Sequence, residues 1–347
     1  MRAGRVAAVL TTLTVVTVLG LSACRSPGSN ATSTTTTTPS APGQPARVLT
    51  IDDIPYFADG ETLDAFLPDP RPSRSVPAVV LVHGGGWVGG ERSVWAPYAE
   101  RMVREQGWAA FSIDYDVAST DPKAWPDELH EVQAAVRFVA GNAQAFGIDA
   151  TRIAVLGESA GGNLVALVSS IGTVRTMSGT AKGVVGAGNQ VNGFTVRGAT
   201  LAYPSPTLDV PIVAAGLWSA PTELAPLTPP APGKPAPGCG SNAACNFAWD
   251  DDDVVEYMGC RPAVCPAKYA EASPVDQVTA STSPSFVSNS TMELVPVDQA
   301  TDYATALRAA GVPHQLKIVD GQMHALQTAE QVWGDTIMFL ARYLDRT

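Results

Sequence analysis

The chain has few charged residues and very few histidines for its length of 347 residues. Charged side chains make up 16% of the sequence and hydrophobic ones 45%, so the chain can bury a sizeable core. Lysine and arginine are scattered and form no basic patch, and the net charge is −11, which argues against a nucleic-acid partner. The acidic surplus instead favours a protein that stays soluble after export. No internal repeat is present.

The N-terminus begins with the features of a targeting segment. Arg2 and Arg5 precede an apolar run at residues 6–21, and Leu21-Ser22-Ala23-Cys24 closes it. A membrane span or a soluble secretory signal would be alternatives, but the run is short for a span. The closing residues resemble the lipobox of bacterial lipoproteins. That resemblance implies that residues 1–24 are a lipoprotein signal peptide. Cys24 would then carry the lipid that anchors the exported chain to the outer face of a bacterial cell membrane.

Residues 25–47 consist of Ser, Thr, Pro, Gly and Ala with almost no large apolar side chain. Such a segment cannot bury enough apolar surface to offset the entropy lost on ordering. We therefore predict a disordered tether at 25–47 and a folded domain at 48–347.

Four cysteines remain, and they lie close together in the chain: Cys239, Cys245, Cys260 and Cys265. An exported protein meets an oxidising environment, so two disulfides are expected, with three possible pairings. Short loops favour Cys239–Cys245 and Cys260–Cys265. A zinc site is the alternative, but the segment has no histidine and no paired C-x-x-C spacing. We therefore expect no metal.

Apolar runs alternate with amphipathic segments along the body of the chain, which predicts an α/β fold. Helices are predicted after Pro126, from Ser159, and at 297–310 and 325–344. An insertion at about 205–283 interrupts the alternation, and we predict that it forms a disulfide-stapled cap. The first two strands should form an antiparallel hairpin turned at Asp59-Gly60. Eight strands are predicted, at residues 48–57, 62–67, 78–83, 109–115, 153–156, 199–203, 285–288 and 315–319.

Two glycine-rich motifs follow predicted core strands. GESAGG at 157–162 also precedes a predicted helix, which places Ser159 on a sharp turn with its hydroxyl exposed, as a nucleophile requires. HGGGW at 83–87 can point backbone N–H groups at a developing oxyanion. We expect Gly85, Gly86 and Ala160 to supply these donors. An ordinary βα turn and a flexible glycine turn are the alternatives.

A nucleophilic serine also needs a base and an acid. Of the four histidines, His324 lies between the last predicted strand and the last helix, where a base can reach the serine. Chain order then places the acid between Ser159 and His324, after strand 285–288. Glu293 is the first carboxylate there, and its role would be to orient the imidazole and stabilise the imidazolium. Asp298 is the alternative, although we expect it to belong to the following helix.

Together these residues resemble the α/β-hydrolase superfamily and, more narrowly, exported esterases and lipases near the hormone-sensitive-lipase and feruloyl-esterase-like groups. The resemblance covers about residues 60–344 and rests on HGGGW at 83–87, Tyr115, GESAGG at 157–162 and DGQMH at 320–324. It implies a mostly parallel eight-stranded sheet flanked by helices, with the second strand antiparallel. It also implies a Ser159–Glu293–His324 triad acting on a small-molecule ester without a metal or an organic cofactor.

Two departures from the family pattern concern the acid and the cap. Met292 stands three residues before Val295, where the family more often has an aspartate, and the cysteine-rich insertion is longer than usual. The main expectation is a serine carboxylic-ester hydrolase. An amidase or peptidase using the same residues, and a catalytically silent surface binding protein, are the alternatives. The sequence gives no indication of the oligomeric state.

Overall fold

The computed structural model describes residues 47–57, 60–118, 125–170, 173–174, 188–228 and 253–346. The signal segment with Cys24, the tether up to residue 46, Asp59 of the hairpin turn, and Cys239 and Cys245 lie outside these residues.

A twisted sheet lies at the centre of the fold, with the strand order β1-β2-β4-β3-β5-β9-β10-β11 and the short β6 paired to β9. β2 runs antiparallel to both of its neighbours, and every pair from β4 to β11 along this order is parallel. The predicted eight-stranded, mostly parallel sheet with an antiparallel second strand is thus confirmed. The strands are β1 (Arg47–Pro55), β2 (Thr62–Asp69), β3 (Val76–Val82), β4 (Ala109–Ile113), β5 (Ile148–Glu158), β6 (Thr173–Val174), β7 (Gln190–Val196), β8 (Ala199–Ala202), β9 (Val210–Trp218), β10 (Ser285–Ser290) and β11 (His314–Val319).

The sequence prediction was wrong about one strand of the main sheet. β8 does not join that sheet but pairs with β7 in a separate two-stranded sheet. The place assigned to residues 199–203 belongs to β9, which lies between β5 and β10. The insertion therefore begins after Trp218 and not at residue 205. Pro211 and the Ala-Ala-Gly run at 214–216 give β9 a weak strand pattern, because proline, alanine and glycine are depleted in strands.

Helices cover both faces of the sheet. α1 and α9 bury their apolar sides in one layer, and α2, α4 and α8 bury theirs in the other. Side chains of a strand point alternately to the two faces, so Val79 and Leu81 of β3 contact the first layer while Val80 and Val82 contact the second. The helices are α1 (Ala96–Gln106), α2 (Asp127–Gly141), α3 (Ala143–Phe146), α4 (Ser159–Ser170), α5 (Asp253–Met258), α6 (Pro266–Glu271), α7 (Pro274–Gln277), α8 (Val297–Ala309) and α9 (Ala329–Leu344).

The described end of the insertion contacts the HGGGW segment. Cys260 and Cys265, one of the two favoured pairs, form a disulfide just after α5. Tyr257 of α5 stacks on Trp87 with ring centroids 4.5 Å apart, and both rings are buried. The insertion therefore packs directly on the loop that follows β3. No helix in the described part of the chain combines enough length with enough hydropathy to span a bilayer.

Candidate active site

Four neighbouring strands end at the same edge of the sheet, and a polar residue follows each of them. Ser159 follows β5, Ser219 follows β9, Glu293 lies three residues after β10, and His324 lies five residues after β11. β5, β9, β10 and β11 are consecutive in the sheet and parallel, so their carboxyl ends lie side by side. This edge is where open α/β sheets place their ligands.

Ser159 stands on a tight turn between β5 and α4. Its φ is 51°, in the left-handed region that non-glycine residues rarely adopt. Gly161 allows the turn to pack against the end of β3, because a Cβ there would overlap the carbonyl oxygens of Val82 and His83. The Ser159 Oγ lies 2.9 Å from His324 Nε2, within hydrogen-bond distance.

The second ring nitrogen of His324 is bonded to Glu293. His324 Nδ1 donates to Glu293 Oε2. The carboxylate is fully buried, whereas the imidazole retains 21% exposure. Because an ionised carboxylate can only accept, the proton lies on Nδ1, and Nε2 is left to accept from the serine hydroxyl.

The alternative acid lies elsewhere. Asp298 is in the first turn of α8, where its Oδ1 accepts the N–H of Gln299 at 3.0 Å. The structure therefore brings Glu293, and not Asp298, to the imidazole. Met292 points outward and is 45% exposed, so its substitution for a family aspartate leaves the hydrogen-bonded chain intact.

Several contacts hold the loop at residues 83–86 beside the turn that carries Ser159. Burial lowers the pKa of His83, and its Nδ1 donates to Gly84 O at 2.7 Å. The ring stacks on Tyr115 at 4.3 Å, and the Tyr115 hydroxyl donates to His83 O at 3.1 Å. His83 thus shapes the loop and has no contact with Ser159 or His324 among the described hydrogen bonds.

The glycine loop at residues 85–86 is partly exposed, and the carboxylate of Asp253 lies against Gly86. Gly85 is exposed and Gly86 is half-buried. Within the described residues, neither N–H group donates to a protein acceptor. Ala160 is the second residue of α4, and an N–H group in the first turn of a helix has no partner within its own helix. Of the predicted donors, Ala160 adjoins Ser159 in sequence, and Gly85 and Gly86 follow Gly84, which is bonded to Glu158.

Sequence reasoning missed two residues at this site. Glu158 was treated only as the variable position of G-x-S-x-G, but its Oε1 accepts the N–H of Gly84 at 2.5 Å. Burial raises the pKa of Glu158, and the hydrogen bond from Gly84 opposes that rise. Ser219, which lay inside the predicted insertion, donates to Glu293 Oε1 at 2.8 Å. A sequence signal was available for Glu158 alone, since it adjoins the nucleophile.

One acidic cluster lies away from the serine. Glu61, Asp116 and Glu131 each place a carboxylate oxygen within 4.8 Å of the others, a spacing that could hold a cation. Glu131 Oε2 already accepts the N–H of Asp116 at 2.7 Å. Burial raises the pKa of Glu131 to about 9, so a proton can neutralise this group at neutral pH. The cluster therefore has an explanation that needs no ion.

Comparison with known proteins finds a family likeness over part of the chain. The BD-FAE family model matches residues 63–202. Esterase LipC of Mycobacterium tuberculosis (strain ATCC 25618 / H37Rv) is 36% identical over 121 residues, which cover 35% of this chain and 28% of LipC. Hormone-sensitive lipase of Mus musculus is 38% identical over 103 residues, or 29% of this chain and 13% of the lipase. The chain thus spans less than a third of the length of these curated relatives.

A solved structure extends the likeness to most of the fold. A truncated form of a carbohydrate esterase from gut microbiota superposes with a TM-score of 0.66 at 19% identity, covering 88% of this chain and 100% of that one. At that identity the likeness concerns the fold alone. The sheet order, the motifs at the strand ends and these matches agree on an α/β-hydrolase fold, with a likeness to the BD-FAE family over residues 63–202.

Proposed function

We propose that this chain is a serine carboxylic-ester hydrolase of the carboxylesterase or lipase type. The observation that carries the proposal is the hydrogen-bonded chain from Ser159 through His324 to the buried Glu293. A hydroxyl, an imidazole with its proton on Nδ1 and a buried carboxylate are the groups that acyl transfer to serine requires.

The mechanism follows from these contacts. His324 Nε2 takes the hydroxyl proton of Ser159 as the Oγ attacks the ester carbonyl carbon. Glu293 stabilises the imidazolium that forms, and it does so without water because it is fully buried. His324 then gives its proton to the leaving alcohol. A water molecule, deprotonated by the same nitrogen, attacks the acyl-enzyme and releases the acid.

The amides of Gly85, Gly86 and Ala160 form the proposed oxyanion hole. Fixed donors directed at the charge that develops on the carbonyl oxygen supply a large part of the catalysis of acyl transfer. The N–H groups of Gly85 and Gly86, which have no protein acceptor among the described hydrogen bonds, support this role. Losing one such donor lowers the rate by roughly 10²–10³-fold.

A small-molecule ester is the proposed substrate, and the names of the similar proteins support this class. LipC is named an esterase, and the superposed structure is named a carbohydrate esterase. The insertion that packs on Trp87 through Tyr257 would cover the site as a cap, with Cys260–Cys265 and the proposed Cys239–Cys245 as its disulfides.

An active-site probe tests the proposal directly. A fluorophosphonate should label the wild-type protein and Ser169→Ala but not Ser159→Ala. Ser169 is a suitable control because it lies on the same helix, is buried, and its hydroxyl donates to Ala166 O. A folded wild-type protein that never labels would mean a silent binding protein. Faster turnover of amides than of matched p-nitrophenyl esters would instead indicate an amidase or peptidase.

We also propose that the enzyme is a lipoprotein held by Cys24 at the outer face of a bacterial cell membrane. The charged start, the apolar run and the Leu-Ser-Ala-Cys sequence support this location. Expression with an alkyne fatty acid should label the wild-type chain and not Cys24→Ala. Equal labelling of both, or protection of the wild type from protease added to intact spheroplasts, would contradict the proposal.

A further inference from the structure

Ser219 links the acid to the chain segment that carries the base. Its hydroxyl donates to Glu293 Oε1 at 2.8 Å and accepts the N–H of Ala325 at 2.9 Å. Glu293 Oε2 is the oxygen that contacts His324, and Ala325 is the residue that follows His324. One buried hydroxyl therefore contacts both the carboxylate that bonds the imidazole and the backbone that follows His324.

The backbone holds Ser219 where this hydroxyl is needed. Its N–H donates to Ser288 O at 2.8 Å, which extends the pairing of β9 with β10 by one residue. The φ of Ser219 is 52° and that of Ala325 is 51°. A left-handed conformation is unfavourable for a non-glycine residue. Glycine would be favoured at such a position if the turn alone mattered.

Glu293 Oε1 has few hydrogen-bond donors besides Ser219. Its Oε1 accepts one further hydrogen bond, from Ser290 N at 2.7 Å. Ser219 is only 1% exposed, so water does not readily replace its hydroxyl. Without Ser219, the carboxylate would lose its one side-chain donor at Oε1 among the described contacts, and the N–H of Ala325 would lose its acceptor.

We propose that Ser219 is a positioning residue for ester hydrolysis, acting by holding Glu293 and the His324 backbone in the geometry that proton transfer needs. The inference rests on the proposed function, since it assigns a role within the same hydrogen-bonded chain. A hydrogen bond to a charged group contributes enough to change a rate by about ten- to hundred-fold when its partner is removed.

Three variants test this role: Ser219→Ala, Ser219→Gly and Ser288→Ala. The alanine variant removes the hydroxyl alone. The glycine variant removes the hydroxyl but also relieves the left-handed backbone. Ser288 is the matched control, because it lies on the neighbouring strand β10, is 2% exposed, and its hydroxyl has no hydrogen-bond partner within the described residues.

We expect both Ser219 variants to lower kcat and the rate of fluorophosphonate labelling by about ten- to hundred-fold, with KM within about twofold of wild type. The glycine variant should unfold at a temperature no lower than the alanine variant. Ser288→Ala should retain wild-type kcat.

Recovery of wild-type kcat in Ser219→Gly would overturn the inference, because only the backbone conformation would then matter. An equal loss in Ser288→Ala, or a change confined to KM, would also overturn it. If Ser219→Ala does not fold, the kcat of Ser219→Gly provides the test of the proposed role. A wild-type protein that neither hydrolyses esters nor labels would refute the proposed function itself, and this inference with it.

Discussion

Glu158 Oε1 accepts the N–H of Gly84 at 2.5 Å, although 74 residues separate the two in sequence. This hydrogen bond joins the turn of the nucleophile to the loop of the proposed oxyanion hole. The two glycine-rich motifs are therefore one structural unit. The contact is close, since a Cβ on Gly84 would lie 2.6 Å from the same carboxylate oxygen.

Removing this acceptor should disturb the oxyanion loop. Glu158→Ala leaves the N–H of Gly84 without its acceptor, and we expect kcat to fall by roughly 10²–10³-fold, as when an oxyanion donor is lost. Glu158→Gln keeps a carbonyl oxygen that can accept this N–H, and its kcat should stay within about tenfold of the wild-type value. Ester hydrolysis kinetics of both variants, with Glu271→Ala on the surface as control, provide the measurement. Equal rates for the alanine and glutamine variants would contradict this account.

The acid should be identifiable by its amide variant. Glu293→Gln can no longer stabilise the imidazolium or select the tautomer, and a loss of roughly 10⁴-fold in kcat is expected. The kcat of Asp298→Asn should be within about twofold of the wild-type value, because Asp298 bonds only within the first turn of its helix among the described contacts. The comparison requires circular dichroism to show that both variants fold. A larger loss for Asp298→Asn would transfer the role of acid to that residue.

Stability should decrease as the pH rises, because two buried glutamates hold protons in the folded state. Burial raises the pKa of Glu131 to about 9 and that of Glu128 to about 8. The unfolded chain releases both protons near pH 4.5, the ordinary value for glutamate. Between these limits the unfolded state binds fewer protons, so the free energy of unfolding falls, by up to about 1.4 kcal/mol per pH unit for each group.

Glu131→Gln should flatten that dependence and raise stability at pH 8. Glutamine retains an oxygen that can accept the N–H of Asp116, which Glu131 Oε2 accepts at 2.7 Å. Urea unfolding at pH 6, 7 and 8 measures the slope, with the surface variant Glu91→Gln as control. If the wild type and Glu131→Gln lose stability equally with pH, Glu131 is not protonated in the folded state.

The disulfide should stabilise α5 locally. Cys260 and Cys265 are five residues apart, and the chain-entropy model gives about 2 kcal/mol for closing so short a loop. In the double variant Cys260→Ser/Cys265→Ser we expect faster amide hydrogen exchange at 253–271 and a weaker stack of Tyr257 on Trp87. Exchange in β3 and β5 should not change. Uniformly faster exchange across the sheet would show that the disulfide stabilises the whole domain.

The parts of the fold with a local signature could be predicted from the sequence. Neighbouring residues are enough to predict three positions: a serine between a strand and a helix, a glycine run after a buried strand, and a histidine before the last helix. Glu293 followed from chain order, because a carboxylate had to come after β10 to reach the imidazole. Each of these inferences needed only the position of a residue relative to an adjacent element.

The features that were missed depend on contacts between distant residues. β9 was overlooked because Gly216 and the two alanines before it have low β propensity. The structure gives a reason for the glycine: a Cβ on Gly216 would lie 2.6 Å from Leu156 Cδ1. β8 has an apolar pattern, but no pattern shows which sheet a strand joins. Glu158 and Ser219 act through partners 74 residues away, and no spacing rule reports such pairs.

The sheet edge that carries Ser159, Ser219, Glu293 and His324 is built from elements other than the insertion that contacts the glycine loop. All four residues take their places from the pairing of β5, β9, β10 and β11, whereas the long insertion enters and leaves between β9 and β10. The insertion is nevertheless part of the domain core, since Leu224, Tyr257 and Tyr269 are buried within it. Substitutions in the insertion should therefore reach the site through the glycine loop, where Tyr257 stacks on Trp87, and not through the strand ends.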